Sequence, residues 1–183
     1  MKIIKNILKW IAIVIAVIIL VSFFLPSKCH VERSKVIKTD VPVVFNLVND
    51  LRLWKTWSPW YGLDTAATMV YYGSGKGIGS AYTWSSTNKN VGKGRLDITG
   101  VKDNEFITAN LYFEGMGTSK VRYNFAKVDN GTRVTWMMDN DIKDVPMAMR
   151  PMSKYFSLFM DKMVGPDFEK GLNNMDSVLT GKK

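Results

Sequence analysis

The chain has 183 residues, 46% hydrophobic, 12% aromatic and 22% charged, a balance that excludes a disordered or low-complexity protein and favours one globular domain. Lys and Arg number 25 against 16 Asp and Glu, a formal +9; Lys2, Lys5 and Lys9 precede a long uncharged run, so the remainder carries 22 basic against 16 acidic residues, or +6. One cysteine, Cys29, and one histidine, His30, exclude an intramolecular disulfide and a histidine-rich metal centre, and neither a metal nor another cofactor is expected.

No charge falls between Trp10 and Leu25, and the apolar stretch Ile7 to Leu25 would span roughly 28 Å as a helix, about one hydrocarbon core. A cleaved signal would have a shorter apolar part and a small-residue site after it. Here Pro26-Ser27-Lys28-Cys29 follows, and Lys28 before Cys29 also argues against lipoprotein processing. Residues 1–27 are therefore expected to be an uncleaved single-pass anchor, contacting the membrane through residues 7–25, and residues 28–183 one domain. Lys2, Lys5, Lys9 and the terminal amine outnumber Lys28 and Arg33 on the far side, which keeps the N-terminus cytoplasmic and the domain outside the cytoplasm.

Val31 to Lys38 alternates like a strand, and Thr39-Asp40 with Pro42 starts a short helix through Val44, Phe45, Leu47 and Val48. Asn49-Asp50 ends it before a second short turn with Leu51, Leu53 and Trp54, then the aromatic knot Trp57-Ser58-Pro59-Trp60-Tyr61, which Pro59 keeps out of regular helix. From Met69 the period becomes two, the mark of antiparallel strands with one covered and one wet face. Tyr82 and Trp84 share a face, as do Leu96 and Ile98; Ile107, Ala109, Leu111 and Phe113; Val121, Tyr123 and Phe125; and Val134, Trp136 and Met138. A two-residue Asn130-Gly131 turn would set Phe125 opposite Trp136 and Tyr123 opposite Met138, both inward. An Asp103-Asn104 turn would likewise pair Ile98 with Ala109 and Leu96 with Leu111. Met152, Phe156, Phe159, Met160 and Met163 then recur at helical spacing, Gly165-Pro166 interrupts, and a new helix carries Phe168, Leu172, Met175 and Leu179.

With Val44-Phe45, Trp54-Lys55-Thr56-Trp57-Ser58-Pro59-Trp60, Gly77-Ile78-Gly79-Ser80-Ala81-Tyr82-Thr83-Trp84, Gly131-Thr132-Arg133-Val134-Thr135-Trp136 and Gly165-Pro166-Asp167-Phe168-Glu169-Lys170-Gly171-Leu172 in this order, the chain resembles the SRPBCC (START-related) superfamily, in its polyketide cyclase/dehydrase-like branch. The resemblance covers nearly all of residues 30–180. It implies an α+β helix-grip fold, a curved antiparallel sheet wrapped around a C-terminal helix, with an apolar cavity inside; the one transmembrane helix that precedes it here departs from the family's usual soluble form. It implies no reaction, since the family includes carriers, receptors and cyclases.

The residues themselves offer little catalytic machinery. His30 stands beside the apolar run, far from the expected cavity, and reads as a surface or strand-end residue; Cys29 reads as an ordinary juxtamembrane cysteine. Gly73, Gly75, Gly77 and Gly79 match no phosphate-loop spacing and precede a strand, so they suit a flexible hairpin connection near the cavity mouth. Asp139, Asp141 and Asp144 lack the glycine and distal glutamate of a calcium loop and read as a solvated strand end. Basic residues alternate along strands instead of clustering, and no nucleic acid is expected as partner.

The informative set is aromatic and methionine-rich. Trp57, Trp60, Tyr82, Trp84, Tyr112, Phe113, Tyr123, Trp136, Met138, Phe156, Met160 and Met163, with Met149 and Met152 beside them, would make either a packed core or the wall of a cavity. Six tryptophans and eleven methionines favour the cavity, because methionine adapts to variable contents. The expected function is membrane-anchored binding or transport of a lipid or other hydrophobic small molecule. The alternatives are a cyclase or dehydratase using Glu114, Tyr82 or Tyr112, with no catalytic constellation to name beyond them, and an interaction module whose cavity is closed by its own side chains.

Overall fold

The computed structural model describes residues 2–181 apart from Asn90 and Met116; Lys182 and Lys183, which close the expected domain, lie outside the described residues. Helix α1 (Lys2–Ser22) is long and apolar enough to cross a membrane. It starts before the expected apolar run and stops before its end, because Phe23, Phe24 and Leu25 fold into turn hydrogen bonds ahead of Pro26, which disfavours helical geometry in the residue before it.

The rest is a seven-stranded antiparallel sheet in the order β1-β7-β6-β5-β4-β3-β2. Its strands are β1 (Lys28–Ile37), β2 (Thr68–Tyr72), β3 (Ala81–Ser85), β4 (Lys93–Lys102), β5 (Phe106–Phe113), β6 (Gly117–Val128) and β7 (Gly131–Asp141). Helix α2 (Val41–Asn49) follows β1 with Pro42 in its first turn. The 3-10 turn Leu51–Thr56 follows it, started by the Asp50 side chain accepting from the Arg52 N–H. Helices α3 (Arg150–Ser157) and α4 (Met160–Thr180) close the chain, giving the expected helix-grip arrangement. The inward residues of the central strands are those read from alternation, and with α2 and α4 they form one buried cluster.

Two turns differ from their expected form. The β6–β7 loop is Asp129-Asn130, so Val128 pairs with Gly131, Phe125 with Val134 and Tyr123 with Trp136, not with Trp136 and Met138. Gly131 serves a close approach instead of the turn: a Cβ there would stand 2.2 Å from the Ile37 carbonyl oxygen. The register moves by two residues, so every side chain keeps its face. The β4–β5 loop has three residues, Asp103 to Glu105, with Asn104 at φ 62°. A bulge between Ile98 and Gly100 absorbs the extra residue and restores the expected pairs Ile98–Ala109 and Leu96–Leu111.

The helical break also moves. It falls at Leu158-Phe159, while α4 runs through Pro166. Gly165 matters there as a point of contact, since a Cβ would lie 2.1 Å from Arg33 Nη2. The Arg33 guanidinium bridges Asp161 and Glu169, each at 2.7 Å, and ties α4 to β1.

The glycine-rich loop is not at the cavity mouth. It docks on the hinge between α2 and the 3-10 turn, where the Leu51 N–H donates to the Gly75 carbonyl at 2.9 Å and Arg52 Nη2 to the Ser74 carbonyl at 2.8 Å. Gly73, Gly75, Gly77 and Gly79 all have positive φ, which lets the loop coil tightly there.

Candidate functional site: an aromatic and methionine-lined cavity

A cavity of about 830 Å³ lies between the sheet, the loop after Trp57, and the helices α3 and α4. Its wall includes Trp60, Tyr82, Trp84, Phe113, Tyr123, Trp136, Met138, Phe156, Met160 and Met163, which the structure brings together along with Met149.

Three expected wall residues are elsewhere, among them Met152, which is 54% exposed on α3. Trp57 is buried in the closed core and turns its indole N–H toward the Leu47 carbonyl at 3.4 Å. Tyr112 projects from the opposite face of β5 and is 44% exposed, because strand neighbours of Phe113 must point away from it. Of the acid–base candidates, Glu114 lies past the end of β5, exposed and 3.9 Å from Lys93, so Tyr82 alone reaches the cavity.

Other wall residues escaped the sequence reading: Trp54, Leu96, Leu111, Val121, Val164, Phe168, the loop Tyr61 to Thr65, and Pro26 to Cys29. Alternation and helical spacing carried the signal for Leu96, Leu111, Val121 and Phe168, since each shares a face with a residue already singled out. Nothing local marks Pro26 to Cys29 as wall.

Interlocking rings fix the wall. Trp136 stacks on Phe168 at 4.1 Å and 7°, and meets Trp60 edge-on at 5.5 Å. Gly171 permits this closeness, for a Cβ there would be 2.7 Å from Trp136 Cζ3. Trp60 Nε1 donates to Asp167 at 3.0 Å, Trp84 Nε1 to the Val91 carbonyl at 3.1 Å and Trp54 Nε1 to the Val48 carbonyl at 2.8 Å. The Trp84 ring lies over Gly94, where a Cβ would be 2.2 Å away. By contrast, Tyr123 OH and Trp136 Nε1 are buried without a hydrogen-bond partner among the described residues.

Burial acts on several titratable groups around the cavity. Burial raises the Tyr82 and Tyr123 phenols, and it pushes Tyr71 up to about 12 with help from a hydrogen bond to Tyr61. Burial, then Asp161 and Asp139, raises the Cys29 thiol, which donates to the Ser157 carbonyl at 3.5 Å. Asp64 accepts from the Ser86 hydroxyl and from the Ala66 N–H at 2.9 Å, which lowers its carboxyl and suits an acceptor, not an acid. His30 is half exposed on β1, with Nδ1 2.8 Å from Asp139. Asp141 accepts from the Lys143 N–H at 2.9 Å and starts a turn, in keeping with a strand-end role.

Residues 28–180 match the family described as Polyketide cyclase / dehydrase and lipid transport. The chain belongs to this family. Solved structures with the polyketide cyclase-like fold include SA2116, a Staphylococcus aureus protein of unknown function, at 13% identity and TM-score 0.63, covering 84% of this chain and 94% of that one. Protein Ms6760 of Mycobacterium smegmatis is 18% identical with TM-score 0.55, covering 85% and 93%. CalU16 of Micromonospora echinospora is 13% identical with TM-score 0.52, covering 85% and 76%. At these identities the likeness concerns the fold of the cyclase-like family and not a shared activity. No curated protein matches the chain significantly by sequence.

Proposed function

We propose that this chain is a membrane-tethered binding or transport protein that holds a lipid or other hydrophobic small molecule in the cavity. The cavity carries the proposal: about 830 Å³ walled mainly by aromatic rings and methionines is the size and character of a small-molecule site. Its tyrosines and thiol, raised by burial, support binding over chemistry, and the family description includes lipid transport. In this reading residues 1–27 are the uncleaved anchor and residues 28–183 the binding domain, outside the cytoplasm, as the Lys2, Lys5 and Lys9 asymmetry favours.

A cyclase or dehydratase is the second reading, favoured by the other half of the family description. Tyr82 would be its remaining acid–base group, and a phenol raised by burial transfers protons poorly near neutral pH.

Native mass spectrometry after extraction in mild detergent tests the proposal: a lipid at one per chain is expected, and an empty protein that also fails to bind the hydrophobic dye anilinonaphthalene sulfonate overturns it. Met160→Trp should block dye binding with little change in melting temperature. A reporter active only in the cytoplasm, fused after Lys183, should be silent.

A further inference from the structure

The segment from Met147 to Met163, which contains α3, carries two sets of apolar side chains, and the cavity uses one of them. Met149, Phe156 and Met160 line the wall. Met147, Met152, Leu158 and Phe159 do not, yet each leaves half or more of its surface exposed. Met152 lies on α3, and Leu158 and Phe159 lie at the break that follows it, so together they leave an exposed apolar stripe off the cavity wall. A soluble domain has no use for such a stripe, and surface patches of this kind mark a partner.

The neighbouring chain identifies the partner. The Tyr155 hydroxyl donates to the Ile18 carbonyl at 2.7 Å, and Lys154 Nζ donates to the Ser22 carbonyl at 2.9 Å. Both acceptors belong to the last two turns of α1, so α3 sits level with the end of that helix. The chain leaving α1, Pro26 to Cys29, also forms part of the cavity wall. Tyrosine and lysine suit the depth at which hydrocarbon meets headgroup, where an apolar body and a polar tip both find partners. The segment 142–164 carries Lys143, Arg150, Lys154 and Lys162 against Asp144 and Asp161, and Arg33 already occupies Asp161. That excess suits anionic headgroups.

We propose that the exposed apolar stripe on α3 and at its C-terminal end lies in the interfacial layer of the bilayer beside α1, so that the cavity opens onto the membrane and takes its ligand from the lipid phase. The inference rests on the reading of α1 as a membrane anchor. The bilayer surface is the partner, and α3 is the element that bends into it.

The full chain, carrying Cys29→Ser and an environment-sensitive nitrobenzoxadiazole dye on Met152→Cys, is reconstituted into vesicles of phosphatidylethanolamine with phosphatidylglycerol. Blue-shifted emission, quenched by lipids spin-labelled near the headgroup, is expected. Water-like emission from protein that resists alkaline carbonate extraction overturns the proposal while leaving the anchor intact; protein released by carbonate overturns the anchor reading and this inference with it. In a second measurement, Met152→Asp with Phe159→Asp should slow uptake of a fluorescent phospholipid from the same vesicles several-fold. Dye binding in detergent should stay unchanged, because neither side chain lines the cavity. Unchanged uptake by this variant counts against the proposal.

Discussion

The two ends of the same β-strands have opposite fates. Toward one end, Ile98, Ile107, Phe125 and Val134 are packed shut beneath α2, with Phe45 edge-on to Phe125 at 5.4 Å. Toward the other, Leu96, Leu111, Val121 and Met138 look into the cavity, and Trp84 and Phe113 meet at its edge. Trp136 and Tyr123 stand on the boundary, 5.0 Å apart. The residue types hardly differ between the ends. What differs is the covering element: α2 presses Val44, Phe45, Leu47 and Val48 into the sheet, whereas α3 and the first part of α4 meet it at the edge strand β1, through Ser157 with Cys29 and Asp161 with Arg33, and leave the cavity over the strands beyond. A void therefore persists where no helix descends to fill it.

Truncation should separate the ends most sharply. Phe125→Ala, at the closed end, is expected to cost about 3–5 kcal/mol in denaturant unfolding, since it opens a hole in a packed core. Phe113→Ala enlarges a space that already exists and should cost less than about 2 kcal/mol. Equal losses would mean that the cavity end is as tightly packed as the other. Crowding the boundary comes next. Gly171→Ala places a methyl against Trp136 and Pro59, and a loss of about 1–3 kcal/mol is expected, with an altered tryptophan emission spectrum.

Tyr123→Phe probes the boundary from the polar side. Removing a buried hydroxyl that has no partner among the described residues should leave the empty protein as stable or raise its stability by up to about 1 kcal/mol. A clear loss of thermal stability would show that the hydroxyl is satisfied. The smallest effect is outside the cavity altogether. The hydrogen bond that His30 donates to Asp139, more than any other influence, raises the His30 pKa above 6.5. Its contribution is therefore full below pH 6.5 and is lost as pH rises through the raised value. Half exposed, it should be worth less than about 1 kcal/mol. The stability difference from His30→Gln should shrink toward alkaline pH, and a difference that grows there would reverse the assignment.

Much of this contrast was invisible locally. Period-two alternation determined which residues face inward in β4, β5, β6 and β7, and it survived a two-residue register error at Gly131 because faces repeat every second residue. It survived the wrong loop length at Asp103-Asn104 because a bulge restored the count. The same alternation could not tell Phe125 from Phe113, both inward, one in core and one on the cavity wall. Trp57 and Trp60 posed the same difficulty three residues apart.

By itself, then, the sequence determined the apolar N-terminal helix, the strand faces, the order of strand, short helices, antiparallel sheet and terminal helix, and the collection of aromatic and methionine side chains, because each depends on residue type at short, regular spacing. The tertiary structure decided where along the strands the cavity lies, that Trp57 and Tyr112 are outside it, and that Pro26 to Cys29 are part of its wall. It also decided that α4 passes through Pro166 and that the helical break falls at Leu158-Phe159. These depend on how far each helix stands from the sheet, a distance set by contacts between residues remote in the chain, such as Gly171 with Trp136 and Gly165 with Arg33.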